Sequence, residues 1–195
     1  MRSRQASAGA RGFSLIEVLV ALIVVSVGLL GIAKMQAVAY SSTGVAGKRS
    51  LAAIEAASLA SSMHANRAYW SVSGIAPAST TVTGNAVTAS TDPALLGPAP
   101  NCAVLGAQCT PSALAAYDLD FGATSWAASL QALLGTSDQA VIACVNPALL
   151  NTPVTCTVTI TWSENLVASN TQEAAAANNG PAASQLPSYT LYIEP

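Results

Sequence analysis

Four cysteines, a single histidine and a close pair of aspartates are the residues of this 195-residue chain on which a site would most readily be built. Cys102 and Cys109 have six residues between them, and Cys144 and Cys156 have eleven. Neither spacing is the short C-x-x-C of zinc or redox chemistry, and one histidine, His64, makes a Cys/His zinc site poor. No nucleophile motif accompanies His64, so a Ser-His-Asp arrangement has nothing to assemble around, and His64 reads as a helix-surface residue. Asp118 and Asp120 suggest a carboxylate pair or calcium ligands. The further oxygens and distal Glu of a calcium loop are missing, so a turn or helix-cap role is the better reading. There is no phosphate loop or dinucleotide fingerprint. No catalytic residue, metal or cofactor is therefore expected, and the chain does not read as an enzyme.

The remaining chemical anomaly is an acid inside grease. From Phe13 to Ala33 the chain carries one charge, Glu17, in 21 residues. That run is long enough to cross a bilayer, which takes roughly 20 apolar residues. A carboxylate at the centre of such a helix costs about 2.5–3.5 kcal/mol on insertion scales, and less near an end.

The elements that must position these groups follow from periodicity. Pro77 is the first proline, and Phe13 to about Tyr69 favours one helix, about 85 Å long at 1.5 Å per residue. Leu51, Ile54, Leu59, Met63 and Trp70 form one broad apolar arc, weakened by Glu55 within it. Gly28, Gly31, Gly44 and Gly47 each destabilise a helix by roughly 1 kcal/mol relative to Ala, and read as flexible turns, close helix contacts or merely tolerated residues. Residues 71–111, rich in Pro, Gly, Ser and Thr, read as loop with one weak strand at Thr80–Ala89. Residues 112–134 read as a broken helix anchored by Leu114, Trp126, Leu130, Leu133 and Leu134. The period then becomes two. Ala140–Val145 is a short apolar run. Val154–Trp162 alternates Val154, Cys156, Val158, Ile160 and Trp162 with four threonines, and Tyr189, Leu191 and Ile193 alternate again. These are antiparallel strands with one face on a core. The long Ala/Asn-rich connection over Asn165–Pro187 reads as a mobile loop.

Composition bounds the setting. The chain is 52% hydrophobic and 8% charged, which suits a secreted or assembled protein better than a cytosolic one. All seven basic residues precede residue 68, whereas Ala68–Pro195 holds seven acids and no Lys or Arg. A distal part of net charge −7 repels phosphates, so nucleic-acid binding there is not expected. If the apolar run is an anchor or export signal, the four cysteines lie outside the cytoplasm and two disulfides follow. Local pairing, Cys102–Cys109 and Cys144–Cys156, is favoured among three connectivities, though spacing alone does not prove it.

The order G–F–S–L–I–E over Gly12–Glu17, after a leader with Arg2, Arg4 and Arg11 and opening an apolar helix, resembles the class III signal of type IV pilins and pseudopilins. That resemblance implies cleavage between Gly12 and Phe13 by a membrane prepilin peptidase, usually followed by methylation of the new amino terminus. It also implies that Glu17 pairs with the N-terminal amine of a neighbouring subunit. The physics agrees: a buried carboxylate is tolerated when a cation meets it, and losing one partner leaves an expensive orphan charge. The alternatives are a Glu17 that reaches the headgroups, a signal peptidase site at Ala37-Val38-Ala39, and a plain single-pass anchor. The apolar run exceeds the 7–15 residues of a signal core and contains Glu17, which disfavours the second.

More narrowly, GFSLIEVLVAL, SVGLLGIAKMQ, the MHANR segment at Met63–Arg67, Asp118 and Trp126, and TVTITW ending at Trp162 resemble PilV-type minor pilins. The stretch from Asp118 to Trp126 is expanded and the Asn165–Pro187 loop is peculiar to this chain. The resemblance implies an α+β, type IV pilin-like fold: a leader at 1–12, a membrane-spanning assembly helix at 13–33, its periplasmic continuation at 34–70 and a periplasmic globular domain with an antiparallel sheet at 71–195. Basic residues ahead of the run place the N-terminus in the cytoplasm. The implied partners are the prepilin peptidase, other minor and major pilins, inner-membrane pilus assembly proteins and a tip adhesin. The implied function is a minor pilin that joins a complex priming a pilus for adhesion, twitching motility or DNA uptake. The competing readings are a minor pseudopilin of a type II secretion system and a membrane-anchored periplasmic binding protein.

Overall fold

A computed structural model of the chain describes residues 12–145, 153–164 and 186–195. It divides into two compact units, 1–40 and 41–195. Helix α1, Leu15–Ala65, is continuous through all four of its glycines, none of which forms a turn.

In the first unit the helix is apolar from residue 15 to 33 except for Glu17 and Ser26, and none of its residues is fully buried: Leu15, Ile16, Leu19, Leu22, Val24, Leu29 and Leu30 are all exposed. This stretch makes α1 long and apolar enough to cross a membrane.

In the second unit α1 becomes amphipathic. Ala52, Glu55, Ala56, Leu59 and Met63 are buried, the i, i+3, i+4, i+7 spacing of one helix face. One expectation fails here: Ile54 points to solvent. Glu55 lies within the arc, as expected, and is itself buried there. The small Ala52 and Ala56 beside it permit close packing, so the buried face is narrower and more Ala-rich than the large residues suggested. The helix also ends earlier than Tyr69. Asn66 leaves helical geometry and its side-chain amide donates to the Pro111 carbonyl at 2.7 Å, after which a four-residue helix, α2 (Arg67–Trp70), buries Tyr69 and Trp70.

The single weak strand expected at Thr80–Ala89 is a hairpin, β1 (Ser79–Thr83) and β2 (Ala86–Ser90). Gly84, with φ +61°, makes the turn, a conformation costly for any residue with a Cβ. Helices α3 (Pro111–Asp120) and α4 (Trp126–Leu134) are the expected broken pair. Thr110 and Ser125 cap them by accepting from the Ala113 and Ala128 N–H groups. Leu119, Trp126, Leu130 and Leu134 are the buried anchors, while Leu114 is half-buried and Leu133 faces outward.

Strands β3 (Gln139–Val145), β4 (Thr155–Thr161) and β5 (Ser188–Ile193) complete a five-stranded antiparallel sheet in the order β2-β1-β3-β4-β5. The alternating side chains fall as expected: Val154, Cys156, Val158, Ile160 and Trp162 are all buried. They join one core with the buried residues of α1, α2, α3 and α4. The leader through residue 11 and the connection at 165–185 lie outside the described residues.

Candidate functional site

Two places hold functional groups, one in each unit. At the start of α1, Gly12, Phe13 and Ser14 precede the helix without regular structure. The Ser14 carbonyl accepts from the Glu17 and Val18 N–H groups at 3.0 and 3.3 Å, opening the helix. Glu17 therefore stands in the first turn, where the helix dipole favours an anion by about 0.3–1 kcal/mol. Its carboxylate has no hydrogen-bond or ion-pair partner among the described residues. Ser26, the other polar side chain of the spanning stretch beyond Glu17, is satisfied internally, its hydroxyl donating to the Leu22 carbonyl at 2.6 Å. The segment thus presents a continuous apolar surface with one ionisable group beside its exposed, unstructured start.

The second place is a polar cleft among α1, α3 and α4. Glu55 is buried, and its Oε1 accepts from the Ser129 hydroxyl at 2.8 Å. Its backbone carbonyl accepts from the Trp126 indole N–H at 2.9 Å. These two bonds tie α4 to α1 and explain how an acid is tolerated in the helix face. Glu55 and Trp126 line a cavity of about 380 Å³ together with Ser62, Tyr117, Asp118 and Thr124. Burial pushes the Asp118 carboxyl above the usual carboxylate range.

The two aspartates expected to cap or turn thus divide. Asp120 accepts from the Val87 N–H at 3.2 Å, tying α3 to the edge strand β2. Asp118 caps nothing and faces the cleft. His64 is exposed on α1.

Both local disulfides are present. Cys102–Cys109 closes a loop ahead of α3, and Cys144–Cys156 joins directly opposed residues of β3 and β4. Near the end of β4, Arg49 pairs with Glu164 at 3.2 Å, Lys48 donates to the Ser163 carbonyl at 2.8 Å, and the Trp162 indole donates to Glu164 at 3.1 Å.

Sequence reasoning missed three polar groups. Glu55 had a signal, its helical phase with Ala52 and Leu59, but was read against its charge. Tyr69 is fully buried and donates to Asp92 at 2.5 Å, so burial and the carboxylate hold its hydroxyl far above the ordinary tyrosine range. Asp138, just before β3, is also buried, and neither of its oxygens has a hydrogen-bond partner among the described residues. Among those residues no group of three His, Cys, Asp or Glu side chains is placed to hold a metal.

The prokaryotic N-terminal methylation motif matches the chain over residues 8–33. No curated protein and no solved structure matches the chain. The motif supports a type IV pilin-like protein, pilin or pseudopilin, anchored by its apolar N-terminal helix. The long helix and small five-stranded antiparallel sheet fit the type IV pilin-like α+β fold. A pilin motif carries with it, in general terms, processing by a prepilin peptidase and association with other pilins.

Proposed function

We propose that the chain is a minor type IV pilin, a structural subunit without catalytic activity. The prepilin peptidase cuts between Gly12 and Phe13, and the new amino terminus is methylated. Before assembly the protein sits in the bacterial inner membrane, with its leader in the cytoplasm and its disulfide-bonded domain in the periplasm. The chain is itself of the PilV type, and its helix then joins other minor pilins and the major pilin. This complex, built with the inner-membrane assembly proteins, primes or caps a pilus for adhesion, twitching motility or DNA uptake, with a tip adhesin as a further partner.

The observation that carries this reading is the methylation motif itself, with Gly12, Phe13 and Glu17 in order at the head of an uncovered apolar helix. Glu17 supplies the acid that meets the N-terminal amine of the adjoining subunit. Such a pair rewards one axial register among helices that would otherwise slide past one another as equivalent rods.

The test is the N-terminal residue of the chain recovered from membranes, read by mass spectrometry of the intact protein and its N-terminal peptide. The expected result is a chain beginning at N-methylated Phe13. A start at Tyr40, or an intact Met1, overturns the filament reading. If processing is as expected but deletion blocks exoprotein release and leaves pili intact, the subunit belongs to a secretion machine instead.

A further inference from the structure

The cleft among α1, α3 and α4 has the chemistry of a cation site, and nothing in the N-terminal motif accounts for it. Two carboxylates line it, Glu55 and Asp118, and no Lys, Arg or His among the described residues does. Glu55 is only 6% exposed, yet half of its carboxylate is unused: Ser129 binds Oε1, and Oε2 has no partner among the described residues. That oxygen is not sealed in the core, because the only fully buried unpartnered side-chain oxygens among the described residues belong to Asp138. It therefore reaches accessible space, and the cleft is the cavity that Glu55 lines. The Asp118 carboxylate is half-buried and likewise without a partner among the described residues. An acid with an unused oxygen and a second acid lining the same cavity offer acceptors that an incoming cation can meet.

The lining selects the kind of cation. A calcium ion takes six to eight oxygen ligands, most of them carboxylate or carbonyl, and two carboxylates with neutral hydroxyls fall short. An anion is repelled. Tyr117 and Trp126 give the cavity an aromatic wall, which suits a weakly hydrated planar cation better than a compact ammonium. The hydroxyls of Ser62 and Thr124 offer further acceptors.

We propose that this cleft binds the guanidinium group of an arginine side chain carried by another protein chain. The guanidinium spans Glu55 Oε2 and Asp118 and lies against Tyr117 and Trp126. That the arginine is carried by a protein rather than free rests on the reading of this chain as an assembling subunit; the guanidinium site itself does not.

The test uses the full chain in detergent micelles with ¹⁵N-labelled tryptophan. The Trp126 indole N–H, fixed on the Glu55 carbonyl, reports on the cleft, and the buried Trp70 is the internal control. Nα-acetyl-arginine methylamide should shift the Trp126 signal saturably and leave Trp70 still, and its neutral citrulline counterpart should shift neither. Asp118→Asn at the rim should weaken binding about tenfold or more, the loss of one charge-assisted contact. Glu55→Gln should do the same, and Asp118→Asn carries the test should that variant fail to fold. Equal shifts with the citrulline compound, wild-type titration of Asp118→Asn, or no saturable shift each overturn the site. Free L-arginine, whose own carboxylate meets two acids, should bind more weakly than the blocked residue. Equal binding overturns the protein-borne source and leaves the site standing. N-terminal processing is read separately, so failure of the pilin reading and failure of the cleft are distinguishable.

Discussion

Replacing Asp138 by Asn should stabilise the second unit at neutral pH. Asp138 is 1% exposed, and its two oxygens are without hydrogen-bond partners among the described residues. Its own N–H is already engaged with the Gly135 carbonyl at 3.3 Å. Burial raises its carboxyl above the ordinary range. Asn has the same shape and keeps an unsatisfied polar group, so the substitution isolates the cost of the charge. An orphaned neutral group costs about 1–3 kcal/mol and an ionised one more, so a gain of about 1–2 kcal/mol is expected. For a unit of this size that is a rise of roughly 2–8 °C in Tm. The sign with pH is fixed. A carboxyl whose native pKa is raised gives its full stability only below the unfolded value of about 3.9, and that stability is lost as pH rises through the native value. The gap between Asn and Asp should therefore be widest at neutral pH and close as the pH falls below about 4. Near-UV circular dichroism of the full chain in detergent, followed on heating at several pH values, reads it through the buried Trp70 and Trp162. A destabilised variant, or a difference that does not change with pH, would refute the claim that an unpaired charge is buried there.

Removing Cys144–Cys156, which closes a separation of 12 residues, should cost about 3 kcal/mol, and removing Cys102–Cys109, with a separation of 7, about 2.5 kcal/mol. Denaturant midpoints of the paired Cys→Ala variants check the order. Gly84→Ala should cost about 1–2 kcal/mol, because φ is +61° there; the 3.2 Å approach to Gln131 Nε2 adds little, since that is the end of a flexible side chain. A variant as stable as wild type would mean the hairpin turn is not held in that conformation. On the proposed function, Glu17→Ala should insert and be processed normally, yet fall at least several-fold in sheared pili. Normal incorporation would count against the pairing role.

Much of the fold was legible because its signals are local. The uninterrupted apolar run, the proline-free helix and the strict alternation of Val154 to Trp162 each need only neighbours along the chain. The cysteine pairing was legible for the same reason, since Cys144 and Cys156 flank one strand connection. The β1–β2 hairpin was not, because its strands are Ser, Thr and Ala with one valine each, Val82 and Val87, and lack an alternating apolar face strong enough to stand out. The Gly84-Asn85 pair between those two valines was the available turn signal. Asp138 left no trace at all, because its isolation is a property of the packed core and not of its sequence neighbours.

The two glutamates of α1 show where such reading stops. Both sit in apolar stretches of one helix. Glu17 was interpretable because its context is linear: a glycine, a phenylalanine and a basic leader stand at fixed offsets from it. Glu55 has no such context. Its partners, Ser129 and Trp126, lie more than 70 residues away along the chain and reach it only after α4 has packed on α1. By charge alone it belonged on the surface, and by helical phase with Ala52, Ala56 and Leu59 it belonged in the core. Phase prevails because one turn of helix cannot rotate Glu55 outward without exposing its apolar neighbours, whereas a hydroxyl and an open cleft satisfy one carboxylate locally.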